Sequence, residues 1–433
     1  MNDLVLKNCT IVGLNGDKEK QSIFINEQGK IEKIVEGKII DGEFRNFIDC
    51  TDKFIMPGLI NAHAHLFSSG RPLSGNLSDS ALNMAYALLE SRLGRSLLRK
   101  VMTKNSMIAL QSGVTTIRSV GEFFYEDVWL RDQYISKKKV GPNLMVSGFF
   151  LSVTDGHGAP YLSLESDSPW EGRKSVRKNI KKGVDWIKIC ITGGVTDAQR
   201  VGEAGALQFT LEEVSAICDE AHKNGVMVAA HVESTEGVRI GLKAGVDTIE
   251  HGAPMDEEII NLYKDNQKSL RGYSALIPTF QAAAPFALLD RNETGVTNTV
   301  YKNGKMVYNG MLTSFRQAIE HEIMVGVGND ASMSFVTHYD FWRELDHQIR
   351  YGGLDPRVAL HNVTQINAEI LGIEKEYGSV DVGKYADLLV LNENPASNIR
   401  SLKNIEMVIK DGKPIKKKRV NKNKTIDSLL DKF

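Results

Sequence analysis

The sequence contains few cysteines and no long apolar run. Only four of its 433 residues are cysteine, and no two of them form a Cys-x-x-Cys pair, which argues against a disulfide framework and indicates reduced thiols in the cytoplasm. No apolar run is long enough to cross a bilayer, and the opening MNDLVLKNCTIVG lacks the basic and apolar regions of a signal peptide. We therefore expect a soluble cytoplasmic protein with no membrane partner.

The sequence also lacks an excess of charge of either sign. Its formal net charge is -1 and its pI is near 6.8, which argues against nucleic acid as a dominant electrostatic partner. With 42% hydrophobic residues, the chain is long enough to form one large barrel and a small accessory domain. A homo-oligomer is compatible with this composition, which does not define the oligomeric state.

Hydrophobic patterning divides the chain into four regions. Residues 1–54 alternate apolar and polar positions, as in LVLKNCTIVGLNG and KIEKIVEGKII, which is typical of short antiparallel strands. In residues 55–372, short apolar strands alternate with amphipathic helices, whereas residues 373–415 return to short strands and turns. Residues 416–433 form a basic tail that is typical of a solvated terminus, and we assign it no partner. We expect the regions 1–54 and 373–415 to pair in one small β-sandwich domain.

The region 55–372 contains eight apolar segments that we interpret as buried strands. Their sequences are PGLINAHAH, GVTTIRSV, NLMVSGFF, VDWIKICITGG, VMVAAHVES, GVDTIEHGA, SALIPTF and IMVGVGND. Between them lie helical segments such as TLEEVSAICDEAHKNG, which begins with Thr210 and Glu213 in capping-box spacing and closes on Gly225. Eight strands that alternate with helices predict an α/β fold of the (β/α)8 TIM-barrel type, in which the chemistry lies at the carboxyl ends of the strands.

The first of these strands ends in two histidines, in the sequence Asn61-Ala62-His63-Ala64-His65. Side chains alternate between the two faces of a strand, so His63 and His65 lie on one face and could share a metal ion. A His-x-His pair also occurs by chance in loops. The interpretation therefore depends on whether other strands end in the same way.

The fourth strand carries Lys188 inside an otherwise apolar run, Val184 to Cys190. A lysine is common on an exposed edge strand, but a lysine in a strand that is buried on both faces needs a partner. Burial disfavours the ammonium form, and a neutral amine can react with carbon dioxide to give a carbamate. A carbamate is an anion whose two oxygens can bridge two cations.

Three further strands end in side chains that can bind metal. His231 ends the fifth strand, His251 ends the sixth and Asp330 ends the eighth. Either histidine alone is more simply interpreted as a hydrogen-bonded core residue. Four strands that each end in a potential ligand are improbable by chance.

These strand ends, taken in chain order, resemble the metal site of the amidohydrolase superfamily: His63, His65, Lys188, His231, His251 and Asp330. The resemblance covers nearly the whole chain, including the opening PGLINAHAH and the closing GSVDVGKYADLLVL. More narrowly, TGGV, EAHKNGVMVAAH and AGVDTIEHG resemble the prolidase-like and imidazolonepropionase-like branch, which also contains Xaa-Arg carboxypeptidase-like enzymes.

The resemblance implies a binuclear site with two divalent metal ions, usually zinc. His63, His65 and Asp330 would bind the more buried ion, and His231 and His251 the more exposed one. Lys188 would be N6-carboxylated and would bridge both ions together with a hydroxide. Imidazoles and carboxylates suit zinc, and Asp330 would also accept the hydroxide's proton and deliver it to the leaving amine.

His157 lies in the loop after the third strand, in the sequence TDGHG. It resembles a histidine that contacts the substrate in the prolidase-like branch, so we expect it to bind the substrate's carbonyl or carboxylate. A solvent-exposed loop histidine is the alternative. The remaining histidines lie outside the ligand set, and we expect them to be structural or surface residues: His222, His321, His338, His347 and His361.

Two loops depart from the pattern of the superfamily. Val232-Glu233-Ser234 follows His231, and Arg118-Ser119-Val120-Gly121 follows the second strand, where relatives often have Arg-Asp-x-Gly. Both loops border the expected pocket, so they leave its specificity open. Arg118 and Arg200 are candidate carboxylate binders that the sequence does not place.

Together, these residues predict a metal-dependent hydrolase that acts on a small molecule. The favoured reaction is cleavage of the amide bond of dipeptides, of the Xaa-Pro or Xaa-Arg type, or of N-acyl amino acids by a metal-bridging hydroxide. The alternative is a hydrolase of a cyclic amide, carbamate or lactone, or a deaminase, on the same site. Lys188 counts against a deaminase, because the mononuclear deaminases of the superfamily lack this lysine. A non-enzymatic scaffold is disfavoured because every ligand is present.

Overall fold

The structure is a computed structural model that describes residues 4–37, 46–72 and 79–433, and these residues form a mixed α/β fold. Residues 1–3 and 38–45, which include the end of the predicted KIEKIVEGKII segment, lie outside the described residues. The strands are β1 (Leu4–Ile11), β2 (Lys18–Ile25), β3 (Ile31–Glu36), β4 (Phe47–Asp49), β5 (Phe54–Pro57), β6 (Leu59–Ala64), β7 (Val114–Ser119), β8 (Asn143–Val146), β9 (Phe150–Ser152), β10 (Ser163–Glu165), β11 (Trp186–Cys190), β12 (Met227–Val232), β13 (Thr248–His251), β14 (Ala275–Ile277), β15 (Leu388–Leu391), β16 (Met407–Lys410) and β17 (Lys413–Pro414).

The α-helices lie mainly between the strands of the central region. They are α1 (Asp79–Glu90), α2 (Arg92–Gln111), α3 (Glu126–Ile135), α4 (Pro169–Lys181), α5 (Leu211–His222), α6 (Thr235–Ala244), α7 (Glu257–Lys264), α8 (Phe280–Leu288), α9 (Arg291–Thr294), α10 (Asn298–Glu320), α11 (Trp342–Arg350), α12 (Pro356–His361), α13 (Asn367–Leu371) and α14 (Lys424–Leu430). The predicted capping box is present, because the Thr210 and Glu213 side chains each bond the other's backbone at the start of α5. Within the described ranges, no helix combines the length and apolarity needed to cross a membrane.

The two ends of the described chain meet in one mixed sheet. Its strands lie in the order β17-β16-β15-β5-β1-β2-β3, and β4 also pairs with β1. The junction is β5, which is antiparallel to β15 and parallel to β1, with Ile55 opposite both Val390 and Ile11. Ile55 and its neighbours Leu6 and Leu388 are buried in a separate apolar cluster on this sheet. The second layer of the expected sandwich stays a prediction.

The central region contains parallel sheets, as its alternating pattern predicts. One has the order β6-β7-β8 and the other β10-β9-β11-β12-β13-β14. Two parallel bridges, Ala64 with Ala331 and Leu276 with Val325, connect β6 and β14 through the segment from Val325 to Ala331, which contains Asp330. On the other side, the Asp185 amide donates to the Val146 carbonyl between β8 and β11. The carboxyl ends of these strands therefore face one common region.

Two predicted strands differ from the observed ones. The third is divided into β8 and β9 because Gly148 between them adopts φ 63° in the left-handed region, which interrupts the extended backbone. The eighth is extended but not a continuous strand. The backbone amides of Asn329 and Asp330 both donate to the His63 carbonyl, and Asp330 itself adopts φ 58°. This turn brings Asp330 against the end of β6.

The basic tail has two parts. Residues 416–419 are exposed, in agreement with the expected solvated run. After them, α14 packs on the body of the protein, where Ile426 and Leu430 are buried and Arg343 pairs with Asp431 at 2.6 Å. The expected exposure to solvent therefore holds for the first part of the tail and not for the buried face of α14.

Candidate metal centre

His63 and His65 lie at the end of β6, and each is held through its Nδ1 atom. His63 Nδ1 lies 2.5 Å from Glu250 Oε2, and His65 Nδ1 lies 2.7 Å from the carbonyl oxygen of Gly121. A carboxylate and a carbonyl can only accept, so both histidines donate from Nδ1. A neutral imidazole that donates from Nδ1 presents a lone pair at Nε2. Both free lone pairs are therefore available for a metal.

These lone pairs converge on Asp330. Asp330 Oδ1 lies 3.3 Å from His63 Nε2 and 3.2 Å from His65 Nε2, and all three side chains are buried. Within the part of the chain that the structure describes, this oxygen has no hydrogen-bond partner. Three electron-pair donors whose ligand atoms lie within 4.8 Å of one another repel unless a cation lies between them. The donor set fits a divalent metal ion such as zinc.

Glu250 supports this arrangement through His63, and no pattern in the sequence indicated this role. Its second oxygen accepts a hydrogen bond from Arg118 at 2.7 Å. Burial alone would raise the pKa of Glu250, but the charges of Arg118 and His63 outweigh burial, so this pKa lies well below its usual range. Arg118 is fully buried, stacks on Trp186 and is therefore not available to a substrate carboxylate. The signal in the sequence was a glutamate inside a buried strand, next to His251.

His231 and His251 form the neighbouring pair. Their ring centroids are 4.6 Å apart, and that of His251 is 5.2 Å from that of His63. His251 Nδ1 lies 2.7 Å from Thr279 Oγ1. Burial, reinforced by adjacent imidazoles, lowers the pKa of both His231 and His251 well below the usual value. Both are therefore neutral near pH 7, the form that binds metal.

Lys188 lines the same cavity from the middle of β11. Its side chain is buried, and burial lowers the pKa of its amine below the usual range, against the opposing effect of Glu250. A lowered pKa raises the fraction of neutral amine, which is the form that reacts with carbon dioxide. The position and chemistry of Lys188 thus fit a carbamate beside the histidines.

Three residues at this site have a strained backbone conformation. His251, Asp330 and Thr279 adopt φ angles of 70°, 58° and 53°, in the left-handed region that non-glycine residues rarely occupy. Successive strand residues normally face opposite sides, but Glu250 and His251 both contact His63. The left-handed turn at His251 explains how both reach the interior. Strain of this kind is typical of functional sites.

The cavity above these residues has one polar and one apolar wall. The apolar wall is formed by side chains of α8, α10 and the adjacent loops: Ala282, Ala283, Phe286, Val307, Met311 and Met333. Phe150 and Leu162 extend it on the other side. Among the described residues that line the cavity there is no arginine, and the basic groups found there besides the histidines of the centre are His157 and Lys188.

Further imidazole and carboxylate side chains line the cavity, and the sequence had not indicated Asp197 or Glu233 as part of it. His157, as predicted, lines it, with its ring stacked on His231 at 4.2 Å. Asp197 contacts His157 Nδ1, and although burial opposes the charged imidazole, Asp197 raises the pKa of His157. Glu233 also lines the cavity, and burial raises its pKa to about 8. The sequence indicated Glu233 only through its position in a loop that departs from the pattern of the superfamily.

The other histidines and Arg200 lie elsewhere, as expected for the histidines. His222 pairs with Asp247 at 2.8 Å, and His347 is buried beside Tyr308. Arg200 is exposed over 85% of its side chain and is not among the residues that line the cavity. The candidate centre is therefore confined to the strand ends and the loops that follow them.

Known proteins are similar to this chain in fold and in sequence. The sequence model described as the amidohydrolase family matches residues 54–415. The structure of a proposed prolidase from Bifidobacterium longum is similar over 99% of this chain and 98% of that chain, with a TM-score of 0.86 and 42% identity. The structure of a Xaa-Pro dipeptidase with methionine bound in its active site is similar over 95% of this chain and 99% of that chain, with a TM-score of 0.81 and 27% identity.

A curated relative gives the same result. Ochratoxinase from Aspergillus niger is 26% identical over 373 residues, which cover 80% of this chain and 72% of the relative. These similarities confirm the resemblance that the strand-end residues first indicated. The chain belongs to the amidohydrolase family.

Proposed function

We propose that this amidohydrolase-family hydrolase, which acts on carbon–nitrogen bonds, cleaves the amide bond of dipeptides or N-acyl amino acids at a binuclear metal centre. The observation that carries the proposal is the convergence of three potential ligand atoms, from His63, His65 and Asp330, in a buried cavity. The sequence similarity to a proposed prolidase, a Xaa-Pro dipeptidase and ochratoxinase supports the same class of reaction.

In this proposal, the parallel strands and the segment before Asp330 close into a (β/α)8 barrel over residues 55–372. The bridges of Ala331 and Val325 to the flanking strands support this closure. Residues 1–54 and 373–415 form the small β domain, and 416–433 form the tail. The four cysteines are free and buried, which supports a cytoplasmic location.

Two divalent metal ions, zinc in this proposal, would be held by two sets of ligands. His63, His65 and Asp330 would bind one ion, His231 and His251 the other, and Lys188, carboxylated on Nζ, would bridge them. When bound, such ions supply hydroxide at neutral pH and polarise a substrate carbonyl. The lowered pKa values of His231, His251 and the Lys188 amine, all caused mainly by burial, support this division.

The protein's own side chains would then hold the substrate and transfer a proton from the attacking hydroxide to the leaving amine. Asp330 Oδ1 faces the two histidines, so Oδ2 is the atom that would accept a proton during attack and return it to the leaving amine. His157 would bind the substrate's carbonyl or carboxylate. The wall that contains Phe286, Val307 and Met311 would take an apolar side chain and exclude water.

The test is hydrolysis of a mixed library by zinc-loaded protein, read by mass spectrometry. The library contains dipeptides, N-acyl amino acids, cyclic amides and lactones. We expect the parent to cleave dipeptides or acyl amino acids with apolar side chains. Lys188→Ala should lose metal and activity, with partial rescue by small carboxylic acids, whereas Lys181→Ala, at an exposed lysine before the same strand, should behave as the parent.

Other outcomes would change the proposal. Full activity in Lys188→Ala would remove the carbamate from the site. Cleavage of a ring or an ester, with no reaction on open-chain amides, would keep the metal centre and replace the substrate class. Absence of bound metal in the parent after loading, measured by plasma mass spectrometry, would overturn the centre itself.

A further inference from the structure

His157 and Asp197 form a pair on two different loops at the cavity. His157 lies in the loop after β9, and Asp197 lies in the loop after β11, the neighbouring parallel strand. His157 Nδ1 and Asp197 Oδ2 are in direct contact as an ion pair, and both residues line the cavity. The pair therefore joins the ends of two strands beside the candidate centre.

The plane of the His157 ring is fixed by its neighbours. It stacks on His231 with centroids 4.2 Å apart and an angle of 12°, and on Phe150 at 6.3 Å and 19°. Gly194 is required for this packing, because a Cβ atom there would lie 2.4 Å from the Cε1 atom of His157. Stacking does not decide which edge of the ring faces the cavity, since a turn of 180° about the Cβ–Cγ bond keeps the ring plane but exchanges Nε2 with Cε1 and Nδ1 with Cδ2.

Asp197 removes this ambiguity. Asp197 Oδ2 contacts Nδ1 in an ion pair rather than in a hydrogen bond, and because a carboxylate carries no hydrogen, the ring nitrogen of the pair carries it. The carboxylate is itself held, since the Gly158 amide lies 3.3 Å from Oδ2 and Thr196 Oγ1 lies 3.2 Å from Oδ1. The ion pair with Asp197 lies at Nδ1, which leaves Nε2 on the same ring outside the pair. It is the nitrogen left for a ligand.

We propose that Asp197 is a positioning residue: its carboxylate holds His157 by Nδ1 and presents Nε2 to the substrate. The proposal rests on the proposed function, which supplies the substrate that His157 contacts. Without Asp197, the ring remains stacked on His231 but turns over, so that Nε2 faces the substrate in only part of the molecules. Nothing in this step changes the metal ligands.

The first test needs neither metal nor substrate. Nitrogen-15 NMR of histidine-labelled, metal-free protein at one fixed pH identifies the His157 nitrogens by their loss in His157→Gln. We expect a protonated Nδ1 in the parent and a mixture of ring states in Asp197→Ala. Asp167→Ala, which removes an exposed loop carboxylate that contacts Thr154, should leave the His157 signals unchanged. Identical His157 signals in the parent and Asp197→Ala would overturn the proposal.

The second test is a double-mutant cycle on kcat/KM. Asp197→Ala should lower kcat/KM by about ten- to a hundredfold at unchanged metal content, as is typical when the partner of a site imidazole is removed. In the His157→Gln background, the same change should have no further effect, because Asp197 acts only through His157. An equal loss in both backgrounds would overturn the proposal. A parent inactive on every amide would refute the proposed function, while the NMR result would still decide the role of Asp197.

Discussion

The parallel sheets and the mixed sheet both bury charged groups, but they satisfy them differently. In the mixed sheet, Lys410 Nζ lies 3.2 Å from Asp387 Oδ2, so the buried charges neutralise each other. In the parallel region, Arg118 pairs with Glu250 in the same way, but Asp330 Oδ1 and Glu233 Oε2 are buried and, within the described residues, have no hydrogen-bond partner. Unsatisfied polar atoms are costly to bury unless a ligand completes them. The difference separates the parallel region, which has buried polar atoms left for a ligand, from the mixed sheet, whose buried charges stabilise the fold.

The largest expected effect is on activity and lies in the parallel region. Asp330→Asn should lower kcat/KM by at least about a thousandfold, because the amide can neither accept the proton nor balance the charge of a cation. The unfolding free energy should change little. Steady-state kinetics and urea unfolding check the two expectations, with Asp381→Asn, an exposed aspartate near the mixed sheet, as the control. Unchanged kinetics in Asp330→Asn would refute the role of this carboxylate.

The converse effect is expected in the mixed sheet. Leu388→Ala removes a fully buried side chain of its apolar cluster and should lower the unfolding free energy by about 2–5 kcal/mol. The kcat/KM of the folded protein should stay at the parent value, since the cluster is separate from the cavity. Val382→Ala, at a residue that is 61% exposed, is the matched control and should have little effect on either quantity. A fall in kcat/KM in folded Leu388→Ala would break the division between the two regions.

The smallest expected effect is a pH dependence of stability in the parallel region. Glu344 is fully buried on α11, where it accepts from the amides of Phe280 and Gln281 at the start of α8. Burial raises its pKa to about 8, so the folded protein holds a proton that the unfolded chain releases at a lower pH. The contribution of Glu344 to stability therefore falls as pH rises from the usual glutamate range to about 8.

Glu344→Gln does not titrate at this position and should lose that slope. Urea unfolding of the metal-free parent and variant across this pH window gives the comparison. As the pH rises, we expect the unfolding free energy of the parent to fall relative to that of Glu344→Gln by a few kcal/mol at most. Parallel curves would show that Glu344 does not carry the buried proton.

Strand alternation and the position of a strand end are local properties, so the sequence could indicate candidate ligands at strand ends. The structure brings three of these candidates together, His63, His65 and Asp330. Glu250 and Asp197 could not be predicted in the same way, because each acts on a histidine from a distant part of the chain. The left-handed turns at His251 and Gly148 were equally invisible, since they re-aim or interrupt a strand without changing its apolar pattern.

The pairing of β5 with β15 has a consequence for biosynthesis. When β5 leaves the ribosome, it can pair with β1, but its other edge, with Ile55 and Met56, has no partner until Leu388–Leu391 have been translated. The whole parallel region is synthesised in between. Throughout that interval, the nascent chain presents an open, apolar strand edge that can pair with a neighbouring polypeptide on the same polysome. Completion of this sheet therefore waits until the parallel region has been synthesised, and one short strand edge stays unpaired until then.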